Sequence, residues 1–141
     1  MFRGLLLKSA VLIAAFLILP SVVLAKSRMV TTPSGLKYQD TKVGHGPAVK
    51  TGQTVTIFYT GWLMDGRVFY SNKEINKPLT FPLGGHQVIP GWDEGIVGMK
   101  VGGVRKLTVP PHLGYGVVKV GSIIPPNVTL IFEIQLLEIK K

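Results

Sequence analysis

The chain has 141 residues, enough for one domain and a short extension. It contains no cysteine, which excludes disulfide staples, thiolate metal sites and a lipidated amino-terminal cysteine. Although 16 Lys and Arg stand against 7 Asp and Glu, no run of four or more basic residues occurs. This spread favours a solvated cationic surface over membrane-surface attraction, and most strongly over nucleic-acid binding.

The first 25 residues are typical of a secretory signal peptide. Arg3 and Lys8 provide a short positive start, and Ala10–Leu19 is entirely apolar. Pro20 ends that run, and small or modest residues lead up to Ala25, where cleavage is expected. The alternative is an uncleaved membrane anchor, the one case in which we expect contact with a membrane. Either alternative predicts a periplasmic or secreted protein.

After the predicted cleavage site we expect a polar tether at residues 26–35 and one folded domain at residues 36–141. Seventeen glycines and ten prolines indicate a turn-rich β protein. Apolar and polar residues alternate at residues 53–63, 104–109 and 128–139, which predicts half-buried strands. Shorter strands are expected at 36–40 and 79–83.

One short helix is predicted in the segment Pro90–Met99. Pro90 suits a first helical turn, and Asp93 and Glu94 complement its positive end. We expect the glycine pair at 102–103 to end it. The predicted fold is therefore α+β, with a curved antiparallel β-sheet wrapped around one short α-helix.

Several short motifs occur in a fixed order along the domain. They are Tyr59-Thr60-Gly61, Asp65-Gly66 followed by Phe69, Val88-Ile89-Pro90-Gly91-Trp92, Gly98-Met99, Leu113-Gly114-Tyr115-Gly116 and Ile123-Ile124-Pro125-Pro126-Asn127. Their order and spacing resemble the FKBP family, the tacrolimus- and rapamycin-binding peptidyl-prolyl cis-trans isomerases, in a small secreted, bacterial-like form. The resemblance runs from about Leu36 to Ile139.

The resemblance implies a pocket for a proline ring, with Trp92 as its floor. It implies catalytic roles for Tyr59, Phe69, Ile89, Trp92, Tyr115 and Phe132, and substrate-binding roles for Val88, Ile123, Ile124, Tyr70 and Leu79. It also implies binding of tacrolimus or rapamycin. An aromatic residue in an alternating strand is usually core, and only the joint occurrence of these aromatic residues favours a binding site.

Isomerisation of a peptide bond breaks no bond, so it requires neither a nucleophile nor a general base. No cofactor or metal is therefore expected. His45, His86 and His112 are scattered without ligand spacing. The glycine pairs at 84–85 and 102–103 are interpreted as turns, because no Lys-Ser or Lys-Thr pair follows them. The expected partners are proline-containing unfolded or nascent exported polypeptides, and the protein is expected to be a monomer.

The sequence departs from the family pattern at the pocket. Tyr70 stands where the family usually has an aspartate, Ile75 where it has the arginine that supports that aspartate, and Leu79 where an aromatic is common. Either the aspartate or the arginine without its partner would be a buried, unpaired charge, so the joint loss of the two is physically consistent. The loop 117–120 is also unusually apolar and suggests a rim for unfolded chains. These departures keep a second hypothesis open: a proline-peptide binder or chaperone of FKBP fold with little isomerase activity.

We predict that the exported protein begins at Lys26, because the charged start, apolar run and Val-Leu-Ala ending match signal-peptidase cleavage. Intact-mass analysis of extracytoplasmic material checks this. A mass that still includes Met1 would support the membrane-anchor alternative.

Overall fold

The computed structural model describes residues 28–141. The predicted signal peptide and its cleavage site lie outside the described residues. The strands are β1 (Val30–Thr31), β2 (Lys37–Lys42), β3 (Thr54–Leu63), β4 (Val68–Ser71), β5 (Leu79–Pro82), β6 (Val104–Val109) and β7 (Leu130–Lys140). The α-helix, α1, is Pro90–Gly95, and a single 3₁₀ turn spans Pro111–Leu113.

All strand pairs are antiparallel, and the sheet order is β1-β2-β6-β7-β3-β4. The outer edge of β3 is shared, because β5 pairs with residues 54–57 and β4 pairs with residues 60–62. The α+β prediction, a curved antiparallel sheet with one short helix, is confirmed. Strand β4 was not predicted from the sequence, although the equally short β5 was expected at 79–83.

The core lies between the inner face of the sheet and α1. Strand β7 contributes Leu130, Phe132, Ile134 and Leu136, all almost fully buried, as alternation predicts for one face of a strand. Burying each such side chain contributes about 1.5–3 kcal/mol, before the entropy of ordering the chain is subtracted.

Two glycines allow α1 to lie close to the sheet. A Cβ atom on Gly91 would come within 2.6 Å of a Val109 methyl carbon, and one on Gly95 within 2.9 Å of a Leu107 methyl carbon. Any side chain at either position would therefore push the helix away from β6. This close approach holds Trp92, between the two glycines, at the inner face of the sheet.

Arg105 fastens the end of α1 to β2 and β6. Its side chain is buried on the same face as Leu107 and pairs with Asp40, with 2.7 Å between Nε and Oδ1. It also donates to the carbonyl oxygens of Gly95, at 2.8 Å, and Val97, at 3.0 Å. A buried cation is tolerated when it is paired and hydrogen-bonded in this way.

The helix is shorter than the sequence pattern predicted, and the glycine pair at 102–103 does not end it. It ends at Gly95, and Gly98, with φ of 91°, turns the chain away. The carbonyl groups at this end are taken up by Arg105, so a further helical turn is not needed to satisfy them.

The expected polar tether at residues 26–35 needs correction in its described part. Val30 and Thr31 pair with β2, and Ser34 is held from two sides. Its hydroxyl donates to the Glu94 carboxylate at 2.7 Å, and its carbonyl oxygen lies 2.7 Å from Nε2 of His112. Residues 30–35 therefore belong to the folded domain, because their backbone and side chains find partners on β2, α1 and the 3₁₀ turn.

Candidate functional site

The main cavity opens between α1, the inner face of the sheet and the loop after the 3₁₀ turn. Its volume is about 430 Å³, within the range of small-molecule sites. The residues lining it are Tyr59, Phe69, Tyr70, Trp92, Tyr115, Val120, Gly121, Ser122, Ile123, Ile124 and Phe132.

A smaller cavity of about 170 Å³ adjoins the first and shares Tyr59, Trp92 and Tyr115 with it. Its other lining residues are Leu79, Gln87, Val88 and Ile89. Together the two cavities bring together all eleven site residues predicted from the sequence. Residues Gln87, Val120, Gly121 and Ser122 also line them but were not predicted.

Aromatic rings packed edge to face form the floor of the main cavity. The Trp92 ring centroid lies 4.6 Å from that of Tyr59 and 5.2 Å from that of Phe132, with interplanar angles of 74° and 84°. Phe69 meets Phe132 at 5.7 Å and 90°. Such pairs are worth about 0.5–1.5 kcal/mol each beyond the area they bury, so the floor is rigid.

Gly61 determines where Phe69 can lie. A Cβ atom on Gly61 would overlap the Phe69 ring, so only glycine on β3 lets this ring cover the strand. The register pairs Gly61 with Tyr70 on β4 and with Phe132 on β7. The wall of the cavity therefore depends on a residue that has no side chain of its own.

Asn72 positions Tyr59 and was missed in the sequence, where it resembles any polar turn residue. Its side chain is buried, its Oδ1 accepts from the backbone N–H of Tyr59 at 2.6 Å, and its Nδ2 donates to the carbonyl of Ile57 at 3.2 Å. It thus replaces the strand partner that β3 lacks between β4 and β5. A carboxamide can donate and accept at once, which this position requires.

The hydroxyls of Tyr59 and Tyr115 remain neutral over the physiological range. Burial, with smaller contributions from Tyr70 and Tyr115, raises the pKa of Tyr59 from 10.0 to about 12. Burial also raises the pKa of Tyr115. Because the folded-state pKa of Tyr59 exceeds the unfolded one, its contribution to stability is complete below about pH 10 and is lost as the pH rises towards 12.

The lining of both cavities contains no Asp, Glu, His, Lys or Arg. Elsewhere in the described part of the chain, no three His, Cys, Asp or Glu side chains lie close enough together to hold a metal ion. The cavities are therefore lined by apolar and aromatic side chains, and their polar side-chain groups are tyrosine hydroxyls, Ser122 and Gln87.

Of the three departures from the family pattern, Tyr70 and Leu79 line the cavities and Ile75 does not. Tyr70 lines the main cavity, with its ring centroid 5.5 Å from that of Tyr59, and is about half exposed. Ile75 is also about half exposed and lines neither cavity. A charge at either position would be partly solvated. The expectation that a carboxylate at position 70 would be buried without a partner therefore does not hold.

Comparison with known proteins identifies the family. Residues 45–137 match FKBP-type peptidyl-prolyl cis-trans isomerase. The FK506-binding protein of Neisseria meningitidis serogroup B is 50% identical over 105 residues, which are 74% of this chain and 96% of that protein. FK506-binding protein 4 of Aspergillus fumigatus is 55% identical over 106 residues, but the match spans 21% of its length.

Solved structures agree with the sequence relatives. FkpA from Escherichia coli superposes with a TM-score of 0.72 and 45% identity, over 79% of this chain and 51% of that one. AtFKBP13 superposes with a TM-score of 0.71 and 41% sequence identity, over 79% of this chain and 98% of that one. The chain therefore belongs to the FKBP-type peptidyl-prolyl cis-trans isomerases, a family that binds proline-containing peptides and ligands of the FK506 and rapamycin type.

We predict that ligand binding changes the fluorescence of Trp92 but not that of Trp62. Trp92 lines both cavities, whereas Trp62 lies on the opposite face of the sheet, in a separate cavity with Lys106 and Ile131. Titrating rapamycin into matched Trp92→Phe and Trp62→Phe variants checks this. The response should survive in Trp62→Phe and largely disappear in Trp92→Phe, and the opposite pattern would refute the assignment of Trp92 to the floor.

Proposed function

We propose that this chain isomerises X-Pro bonds of exported polypeptides in the aromatic cavity, without covalent or acid-base chemistry. The observation that carries the proposal is the cavity itself. Trp92, Tyr59 and Phe132 form an apolar floor of rings packed edge to face, and the lining contains no Asp, Glu, His, Lys or Arg. We assign the proline ring to the space above Trp92.

Such a cavity lowers the barrier through solvation. Rotation about a peptide bond is opposed by amide resonance, a barrier of about 18–20 kcal/mol. The planar amide is strongly dipolar, and the twisted transition state has lost much of that charge separation. An apolar wall therefore stabilises the twisted transition state relative to the planar ground state. This difference in free energy lowers the barrier to rotation. Proline is selected because its cis form costs only about 0.5–1 kcal/mol.

Two hydrogen-bond donors support a role in holding the peptide. Within residues 28–141 the backbone N–H of Ile89 has no acceptor, while the Ile89 carbonyl accepts from Trp92 at 2.9 Å as α1 begins. Tyr115 lines both cavities and carries the second donor, its hydroxyl. We propose that these groups bind peptide carbonyls and so fix the substrate in a geometry ready to twist.

The export assignment rests on the signal-peptide pattern of residues 1–25. Exported chains fold where the isomerase would meet them, in the periplasm or outside the cell. In the described part of the chain, no helix is long and apolar enough to cross a membrane.

The alternative is a proline-peptide binder or chaperone with little isomerase activity. It is favoured by one observation: Tyr70, at the cavity mouth, and Ile75 replace the charged pair that the family pattern carries. Their replacement leaves the binding floor complete and removes the only charged element that the pattern provides. Binding and catalysis can therefore be separated at this site.

An isomerisation assay on a short X-Pro peptide tests the proposed function. We expect the parent protein to accelerate isomerisation, with kcat/KM constant between about pH 6 and pH 9, because Tyr59 and Tyr115 ionise only at higher pH. Peptide binding without acceleration would favour the binder. A rate that titrates near neutral pH would contradict catalysis without acid or base.

We predict that the double substitution Tyr70→Asp with Ile75→Arg raises kcat/KM about tenfold, equivalent to about 1.4 kcal/mol in the barrier. The restored pair would return a charged element to the cavity mouth. Tyr70→Asp alone should help less but leave the fold intact, since position 70 is half exposed. Val68→Asp, on the same exposed face of β4, controls for added negative charge. Simple additivity of the two single changes in a double-mutant cycle, or no gain in the double variant, would show that the missing pair does not limit activity.

A further inference from the structure

The loop after Tyr115 exposes four apolar side chains within seven residues. Val117 and Val118 are 82% and 61% exposed, and Val120 and Ile123 are also exposed. We call these four residues the apolar rim. Single exposed apolar residues are ordinary, but a group beside a binding cavity indicates an interaction surface.

The rim is held in place by specific contacts. Val120 and Ile124 exchange two backbone hydrogen bonds, of 3.1 and 3.2 Å, around a tight turn in which Gly121 has φ of 57°. Ile124 is buried and anchors this turn on the cavity floor. At the other end, Val118 N–H donates to the Tyr115 carbonyl at 3.0 Å. The exposure of the valines is therefore a property of the folded loop.

The rim is continuous with the candidate site. Val120 and Ile123 line the main cavity, and Val117 and Val118 belong to the same loop but do not line it. A polypeptide whose proline occupied the cavity would therefore contact part of the rim directly. The residues next to that proline could then contact the rest of it.

We propose that the apolar rim binds apolar side chains of an unfolded polypeptide whose proline is held in the cavity. This inference rests on the proposed function and adds a second contact to it. Lys119 is the one charged residue between Val117 and Ile123, so the surface offers little to a charged partner. Adjoining apolar side chains are accessible in an unfolded chain and mostly buried in a folded one, so the rim would direct the enzyme to unfolded substrates.

The double variant Val117→Thr with Val118→Thr tests the rim. Threonine keeps the β-branched shape of valine and replaces one methyl group with a hydroxyl. Val43→Thr with Val101→Thr is the matched control, because both valines are exposed and neither lines either cavity of the site. Thermal unfolding should confirm that all proteins are folded.

Three measurements separate the rim from the cavity. For the rim variant we expect about fivefold weaker binding of a fluorescently labelled, permanently unfolded protein by anisotropy. With a protein whose refolding is limited by prolyl isomerisation, kcat/KM should fall by a similar factor, because KM rises while kcat stays the same. With a short X-Pro tetrapeptide, kcat/KM should stay within twofold of the parent, and the control variant should match the parent throughout.

Equal losses on the tetrapeptide and the unfolded protein would overturn the inference, because the loop would then serve only to shape the cavity. Unchanged binding of the unfolded protein would overturn it as well. A parent protein that is inactive on both substrates would instead contradict the proposed isomerase function, and the anisotropy measurement would still decide whether the rim binds unfolded chains.

Discussion

The close packing of α1 against β6 is the constraint on which the rest of the domain depends. A six-residue helix is unstable by itself, since helices shorter than about 12–15 residues are marginal in water. Here it is stabilised because Gly91 and Gly95 let its backbone lie directly on Val109 and Leu107. Trp92, between these glycines, is thereby fixed as the floor of the main cavity.

Arg105 couples this packing to the edge of the sheet. One buried guanidinium joins Asp40 on β2 to the carbonyls of Gly95 and Val97 at the end of α1, and lies 4.4 Å from the centroid of the Tyr38 ring. Breaking such a pair from one side leaves an uncompensated buried charge, which typically costs about 3–5 kcal/mol. Arg105 is the one buried cation among the described residues. By binding the end of α1 it helps to hold the helix, and therefore Trp92, in place.

The site combines a rigid interior with an adaptable mouth. The inner rings contact each other edge to face and are fixed by Gly61 and Asn72 on the strands behind them. Tyr70 and the apolar rim are exposed, so substitutions at these positions are expected to cost little stability. Under the proposed function, proline recognition would depend on the buried rings and discrimination among substrates on the exposed residues, so the two could vary independently.

Sequence by itself determined the fold class, the three long strands and the family, because alternation with a period of two and a series of ordered motifs are local patterns. Through a family resemblance it also indicated eleven of the fifteen residues that line the two cavities. Tertiary structure alone decided the roles of Arg105, Asn72 and Gly61, the docking of residues 30–35 and the early end of α1. Each of these depends on a contact between residues that are not neighbours in the chain. Arg105 lies on the same strand face as Leu107 but donates to the carbonyl of Gly95. Asn72 resembles a turn residue in the sequence, and only the fold shows that it bonds to β3 between β4 and β5. Burial and pairing of a polar group are properties of the assembled fold, so no local pattern encodes them.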